Sequence, residues 1–236
     1  MNLHVLPHRT GGAAENMALD FLLLQRYPEA TPRFRHYDWR RPACTFGFSQ
    51  KIGFVRAHLP AENLELCRRP TGGGIVDHRN DWTYSLVIPR GHALYDETAT
   101  QSYRVVHEAL VVALVACGQP AVLQPTRPEP DAEAEAGPFG VCFQRAEIHD
   151  VVNPASGAKI AGAAQKRNRN GLLLQGSLEK AVVSPIDWET FHARFAEAVA
   201  RLLRVPVTNV PWPELDESEV EGLTEQYSSP EWMEYR

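Results

Sequence analysis

The sequence is poor in the groups that organise metal, disulfide and nucleic-acid chemistry. Its four cysteines, Cys44, Cys67, Cys117 and Cys142, are widely spaced and make no C-x-x-C pair, which excludes a zinc knuckle or a disulfide framework. A basic excess is missing too. The formal net charge is −5, the wrong sign for a chain whose main partner is a phosphate backbone or an anionic membrane. Long apolar runs are absent. The longest, Ala109 to Cys117, is far short of a bilayer span, and the opening residues, with His4, Pro7, His8 and Arg9, lack the apolar stretch of a signal peptide. No Walker run follows any glycine cluster, and there is no G-x-G-x-x-G. The expectation is a soluble protein of the reducing cytosol, cytoplasmic, with no metal and no nucleic-acid or membrane partner.

What is present suits a globular enzyme. The chain has 236 residues, 44% of them hydrophobic and 22% charged, enough for one domain over residues 1–236 with a core that needs no staple. A monomer is the default, since no amphipathic surplus demands a partner. Only Gln124 to Gly140 is biased, with four prolines and four acids; it reads as an exposed acidic, proline-rich loop. Periodicity predicts helices over Asn16 to Tyr27 and over Ser102 to Cys117, the latter stopped by Gly118. A third starts with Ser184-Pro185 as N-cap and N1 and carries Trp188, Phe191, Phe195, Val199 and Leu202 on one stripe. Strand-like runs cover Thr83 to Ile88, Val141 to Val152 and Leu172 to Leu178. Their alternation with helices is too irregular for a doubly wound sheet, so the predicted class is α/β with a mixed sheet flanked by helices. Residues 205–236 read as a short C-terminal extension with room for one or two short helices.

Two segments stand out chemically. In Arg68-Arg69-Pro70-Thr71-Gly72-Gly73-Gly74-Ile75-Val76-Asp77-His78, three glycines remove all side-chain bulk and let backbone N–H groups approach a ligand. The segment is either a flexible turn between strands or a ligand-cradling loop. In Gly157-Ala158-Lys159-Ile160-Ala161-Gly162-Ala163-Ala164-Gln165, strict alternation puts Lys159 on one face with Ala161 and Ala163. Lys159 is then either a solvated strand lysine or a pocket lysine able to donate to an oxyanion. The basic run Lys166 to Gly171 is a solvated turn or a docking patch for an acidic partner.

Taken in order, these blocks resemble the lipoate-protein ligase and octanoyltransferase family. Asn16-Met-Ala-Leu-Asp20, Phe46-Gly-Phe-Ser-Gln50, Thr83-Tyr-Ser85 and Leu174-Gln-Gly-Ser177 extend the likeness over nearly the whole chain. The resemblance implies a catalytic domain of the kind shared with biotin ligases. It also implies that Arg69, Thr71, Gly72, Gly73, Gly74, Ile75, Val76 and His78 line an acyl pocket together with Gly162, Ala163 and Gln165. Lys159 would then contact the acyl carbonyl or its leaving group.

The family has two chemistries. Ligases activate a free acid with ATP and Mg, whereas transferases take the acyl group from a carrier-protein thioester and need no cofactor. Val141-Cys142-Phe143 resembles the block that carries the nucleophile in the LipM-type octanoyltransferases, although Gln144 to His149 replaces an expected Pro, Ser and aromatic stretch. A cysteine suits thioester exchange, and Lys159 can lower its pKa. His149, seven residues on, would face away in an unbroken strand. Cys44, Cys67 and Cys117 read as small buried hydrophobes. The short extension after the third helix leaves no room for the accessory domain of many ligases, while Glu231-Trp232 is similar to ligases that keep it on a separate chain. The leading expectation is octanoyl transfer from octanoyl-acyl carrier protein through Cys142 to a lysine of a lipoyl domain or a glycine-cleavage H-type protein. The alternatives are an ATP-dependent lipoate ligase and a non-catalytic acyl-binding protein.

Overall fold

A strand buried on both faces must lie inside a covered sheet, and Asp81–Pro89 and Gly171–Glu179 are two such strands, buried along all or nearly all their length. The computed structural model describes residues 1–59, 61–126 and 146–235. In chain order its elements begin with β1 (Leu3–Val5), β2 (Arg9–Gly11), α1 (Ala13–Gln25), β3 (Arg33–Trp39), β4 (Ala43–Phe46) and α2 (Ile52–Ala57). Next come β5 (Glu65–Arg68), β6 (Ile75–Asp77), β7 (Asp81–Pro89), α3 (Ala93–Asp96), α4 (Ala99–Ala116), β8 (Val122–Leu123) and β9 (Val151–Val152). The chain ends with β10 (Lys159–Asn168), β11 (Gly171–Glu179), α5 (Trp188–Leu203), β12 (Val207–Asn209), α6 (Glu217–Ser228) and α7 (Pro230–Met233).

The main sheet runs β12-β1-β3-β7-β11-β10-β9-β8, with β2 paired to β3. The β12–β1, β1–β3 and β2–β3 pairings are parallel and the rest, β3–β7 included, are antiparallel. A small sheet, β5-β4-β6, stands apart from it. This is the mixed sheet flanked by helices that the sequence predicts.

Alternation along β7 explains the layering. Trp82, Tyr84, Leu86 and Ile88 point to the face covered by α4 and α5, where they join Leu110, Phe191 and Phe195 in the main core. The other face is apolar only at one end, where Val87 and Leu173 meet Leu23 and Leu24 of α1. Further along it carries Ser85, Thr83 and Asp81, all buried. A buried polar face must be hydrogen-bonded, and that requirement places the site.

Element boundaries depart from the periodicity where local chemistry intervenes. Helix α1 starts three residues before Asn16 because the Glu15 carboxylate accepts the Gly12 N–H (3.1 Å) and Glu65 accepts the Ala13 N–H (3.0 Å). Helix α5 starts at Trp188 and not at Pro185: Asp187 is the stronger cap, accepting from the Glu189 N–H and the Thr190 hydroxyl. Thr98 caps α4, and Gly118 ends it at φ +76°. The predicted strand over Val141 to Val152 is corrected within the described residues to Val151–Val152 alone. The chain before it turns, with the Asp150 N–H donating to the Glu147 carbonyl and His149 at φ 68°, so the unbroken-strand argument about His149 falls. Most of the acidic loop predicted over 124–140 lies outside the described residues.

The C-terminal stretch is woven into the fold. Strand β12 extends the sheet beside β1, and Tyr227 of α6 packs with Met17, Tyr37 and Cys67. Helix α1 is itself seated by a buried ion pair. Arg35 Nε lies 2.8 Å from Asp20 Oδ1, a charge contact in place of an aligned hydrogen bond, and both side chains are fully buried. The Asp20 carboxylate also accepts Ser85 Oγ (2.5 Å), Tyr37 Oη (3.1 Å) and Gln175 Nε2 (2.6 Å). Asp20→Ala would leave Arg35 as an uncompensated buried charge. It is expected to destabilise the protein by about 3–5 kcal/mol, read as the loss of unfolding free energy in urea.

Candidate active site

Where the polar face of β7 and β11 meets the small sheet, the structure encloses a cavity of about 500 Å³ of empty space, its open mouth included. Met17, Tyr37, Trp39, Val76, Ala163 and Ala164 give it a mainly apolar wall, and Arg69, His78, Thr83, Lys159, Gln175 and Ser177 bring the polar groups. This is the usual make-up of a small-molecule pocket.

One wall is the glycine loop between β5 and β6. Gly73 sits at φ +86°, a conformation that side chains disfavour. The loop backbone presses on Gly47 so closely that a Cβ there would lie 1.9 Å from the Gly73 carbonyl oxygen. The two arginines hold this shape. Arg69 donates to the carbonyls of Gly72 and Gly74, each at 2.9 Å, and to Thr45 Oγ1 at 2.8 Å. Arg68 donates to the carbonyls of Phe48, Gln50, Trp232 and Met233, tying α7 beneath the loop. The loop is therefore a pinned cradle.

A hydrogen-bond chain leads from Arg69 into the sheet. Thr45 Oγ1 lies 2.7 Å from His78 Nε2, and His78 Nδ1–H donates to Asp81 Oδ2 at 2.6 Å. Asp81 also accepts Thr83 Oγ1 at 2.8 Å and the Ser177 hydroxyl, and Trp39 stacks on the His78 ring. Burial pushes the Asp81 carboxyl up, but the opposed effects of His78 and these three hydrogen bonds outweigh it and hold it below its ordinary value.

Lys159 forms the opposite wall. A register shift between Lys159 and Ala161 on β10 breaks the expected alternation. Ala161 enters the main core, while Lys159 turns to the cavity and lies across Gly162. A Cβ at Gly162 would meet Lys159 Cε at 2.7 Å and Nζ at 2.8 Å. The ammonium is 2.8 Å from Asp150 Oδ2, with 7% and 1% of the two side chains exposed. Asp150 is aimed in turn by the Glu147 N–H (2.7 Å) and the Tyr103 hydroxyl, which also accepts the Ala163 N–H at 3.0 Å. Burial, then the Asp150 charge, holds the Tyr103 phenol well above its usual range. Beside it, burial brings His107 down to about 4, so this ring is neutral.

Of the residues singled out from sequence, Arg69, Gly73, Val76, His78, Lys159, Gly162 and Ala163 border the cavity. Five do not. Thr71 is buried behind it, donating to Gln175 Oε1 at 2.8 Å. Gly72 and Gly74 give their carbonyls to Arg69, and Ile75 packs with Cys44, Phe46 and Val55 in a satellite core. Gln165 is drawn under α4 by Ser102 and the Ala99 carbonyl. Cys142 lies outside the described residues. Cys44 and Cys67 are buried, and burial pushes the Cys67 thiol up to about 12. Sequence reading missed Met17, Tyr37, Trp39, Thr45, Asp81 and Asp150. Met17, Thr83 and Ser177 stand inside blocks whose likeness was noted, and that was their only signal.

The model of the lipoyl protein ligase A/B catalytic domain matches residues 12–209, a span that holds both cavity walls. The chain belongs to this family. Within it, the chain is 34% identical over 170 residues to the octanoyltransferase LipM of Bacillus cereus, an alignment covering 70% of this chain and 60% of that protein. The chain thus spans less than two thirds of that relative. It is 29% identical over 271 residues to the octanoyltransferase LipM of Symbiobacterium thermophilum, covering 95% and 94%. The bipartite lipoate protein ligase of Thermoplasma acidophilum, solved with its E2 lipoyl domain, superposes with a TM-score of 0.73 at 20% identity over 100% and 98% of the chains; that likeness speaks to the fold. Among the described residues no helix is long and apolar enough to cross a membrane.

The depressed Asp81 carboxyl sets a pH test. A carboxylate whose folded pKa lies below its unfolded one adds stability that is complete above the unfolded value and vanishes as pH falls through the folded value. Asp81→Asn should therefore be less stable than the wild type at pH values well above the ordinary carboxylate value of 3.8. The margin should shrink only as the pH drops below the ordinary value of 3.8, as followed by urea unfolding across pH.

Proposed function

We propose that this chain is an acyltransferase of protein lipoylation. It would move an octanoyl group from octanoyl-acyl carrier protein, through a thioester on Cys142, to a lysine of a lipoyl domain or a glycine-cleavage H-type protein, with no ATP or Mg. The observation that carries this reading is a buried, carboxylate-held lysine at one wall of a mainly apolar cavity, in a chain similar to LipM octanoyltransferases.

The chemistry balances without a cofactor. The Cys142 thiolate attacks the thioester carbonyl carbon, the oxygen takes the negative charge, and collapse of the adduct expels the carrier thiolate, which is protonated. Thioester replaces thioester at little energetic cost. A deprotonated acceptor amine then attacks the Cys142 acyl group, an amide forms, and the thiolate returns. Lys159 supplies a hydrogen bond to the oxyanion of both steps, aimed by Asp150 and therefore costing no reorganisation as charge develops. The apolar wall takes the alkyl chain, while the pinned glycine loop fixes where it lies.

The test is intact mass after incubation with octanoyl-acyl carrier protein. The wild type should gain one octanoyl group and discharge it to a lipoyl domain without ATP. Cys142→Ser should gain none, and Lys159→Ala should transfer about 10²–10³-fold more slowly. Acceptor modification that needs ATP and free lipoate and tolerates Cys142→Ser would make the chain a ligase. Acyl binding with no transfer from any donor would make it a binding protein.

A further inference from the structure

On the sheet face opposite the cavity, β3 carries a second constellation. His36 and Asp38 are two residues apart and so share one face of the strand. His8 directly precedes β2, whose Arg9 is in register with Tyr37, and this brings the His8 ring alongside His36 with centroids 5.0 Å apart. One ligand atom from each of His8, His36 and Asp38 lies within 4.8 Å of the other two.

We propose that these three side chains form a binding site for a first-row divalent cation of the zinc type. Two imidazole nitrogens beside a single carboxylate suit such ions better than calcium or magnesium, which take all-oxygen ligand sets. The tautomer is right. His36 Nδ1–H donates to the Thr83 carbonyl at 2.8 Å, which leaves the lone pair of Nε2 for a metal, the backing that metal-bound histidines usually have. Stacking on Trp82, with centroids 4.3 Å apart and planes 10° apart, fixes the ring. The other two ligands can adjust, since 46% of the His8 side chain and 50% of the Asp38 side chain are exposed. Their contact, His8 Nε2 to Asp38 Oδ2 at 3.1 Å, is already near the roughly 3.3 Å that separates ligand atoms around a tetrahedral ion with bonds of about 2.0–2.1 Å. Closing the remaining gap needs side-chain rotation only. Three protein ligands leave a coordination position for water. His192, its ring centroid 6.0 Å from that of His36, is not one of the three.

The site is independent of the acyl chemistry and is tested without it. Zn²⁺ is titrated into the full chain against a chromophoric chelator, alongside His8→Gln and Asp38→Asn, both half-exposed positions whose thermal midpoints without metal should match the wild type. One Zn²⁺ per chain is expected, bound at least about tenfold more weakly in each variant, with X-ray absorption showing nitrogen and oxygen neighbours only. The wild-type midpoint should rise with Zn²⁺ while those of the variants rise less. Sulfur at about 2.3 Å would assign the ion to cysteine and overturn the proposal. Affinity unchanged in both variants, or no binding at tens of micromolar Zn²⁺, would overturn it as well.

Discussion

A carboxylate that never meets water sets the terms for the rest of this molecule. Burying a charge is tolerable only if it is paired and its lone pairs are filled, so Asp20 needs Arg35, Ser85, Tyr37 and Gln175 in place together. Those partners come from three strands, β3, β7 and β11, while Asp20 itself stands on α1. Tyr37 and Gln175 also border the cavity, and Gln175 receives the Thr71 hydroxyl from the glycine loop. Satisfying one buried charge therefore fixes the helix on the sheet and the loop over the cavity at once.

The loop is held from below as firmly as from the sheet. A guanidinium has five donors in a fixed fork and no acceptor, which suits it to gathering backbone carbonyls that have no ladder partner. Arg69 does this inside the loop, and Arg68 does it between Phe48, Gln50 and the final helix. At Arg68 the positive charge is engaged in architecture. Arg69 holds the loop in the same way and also borders the cavity.

The sequence is legible where one local rule acts alone. The central strands, the three long helices and the glycine loop follow from periodicity, caps and breakers, and the mixed sheet follows from their irregular order. Legibility fails where a competing local bond intervenes. Asp187 outcompetes Ser184 as a cap, and the turn at His149 ends a run that otherwise reads as strand. Partners such as Asp150, Asp81 and Tyr37 are invisible in the sequence because a lone acid or aromatic gives no sign of the tertiary neighbours that will bury it. Gln165 misled for the opposite reason: its neighbours Gly162 and Ala163 reach the cavity, but its own amide finds a better pair under α4.

Lys159 shows why a small irregularity matters more than the composition around it. In a regular strand its amine would follow Ala161 into the main core, where an unpaired ammonium could not remain charged. The register shift turns it to the other face, where Asp150 neutralises it and Gly162 leaves room for it to lie flat. The cavity then faces an ion pair, which is inexpensive to bury compared with a lone cation. In the proposed chemistry, negative charge developing on a carbonyl beside Nζ would meet the near, positive end of a dipole whose negative end, Asp150 Oδ2, lies 2.8 Å from Nζ. That field would be weaker than a bare ammonium's but would need no rearrangement, and in the proposed chemistry such an arrangement would favour the charged intermediate over the neutral thioester.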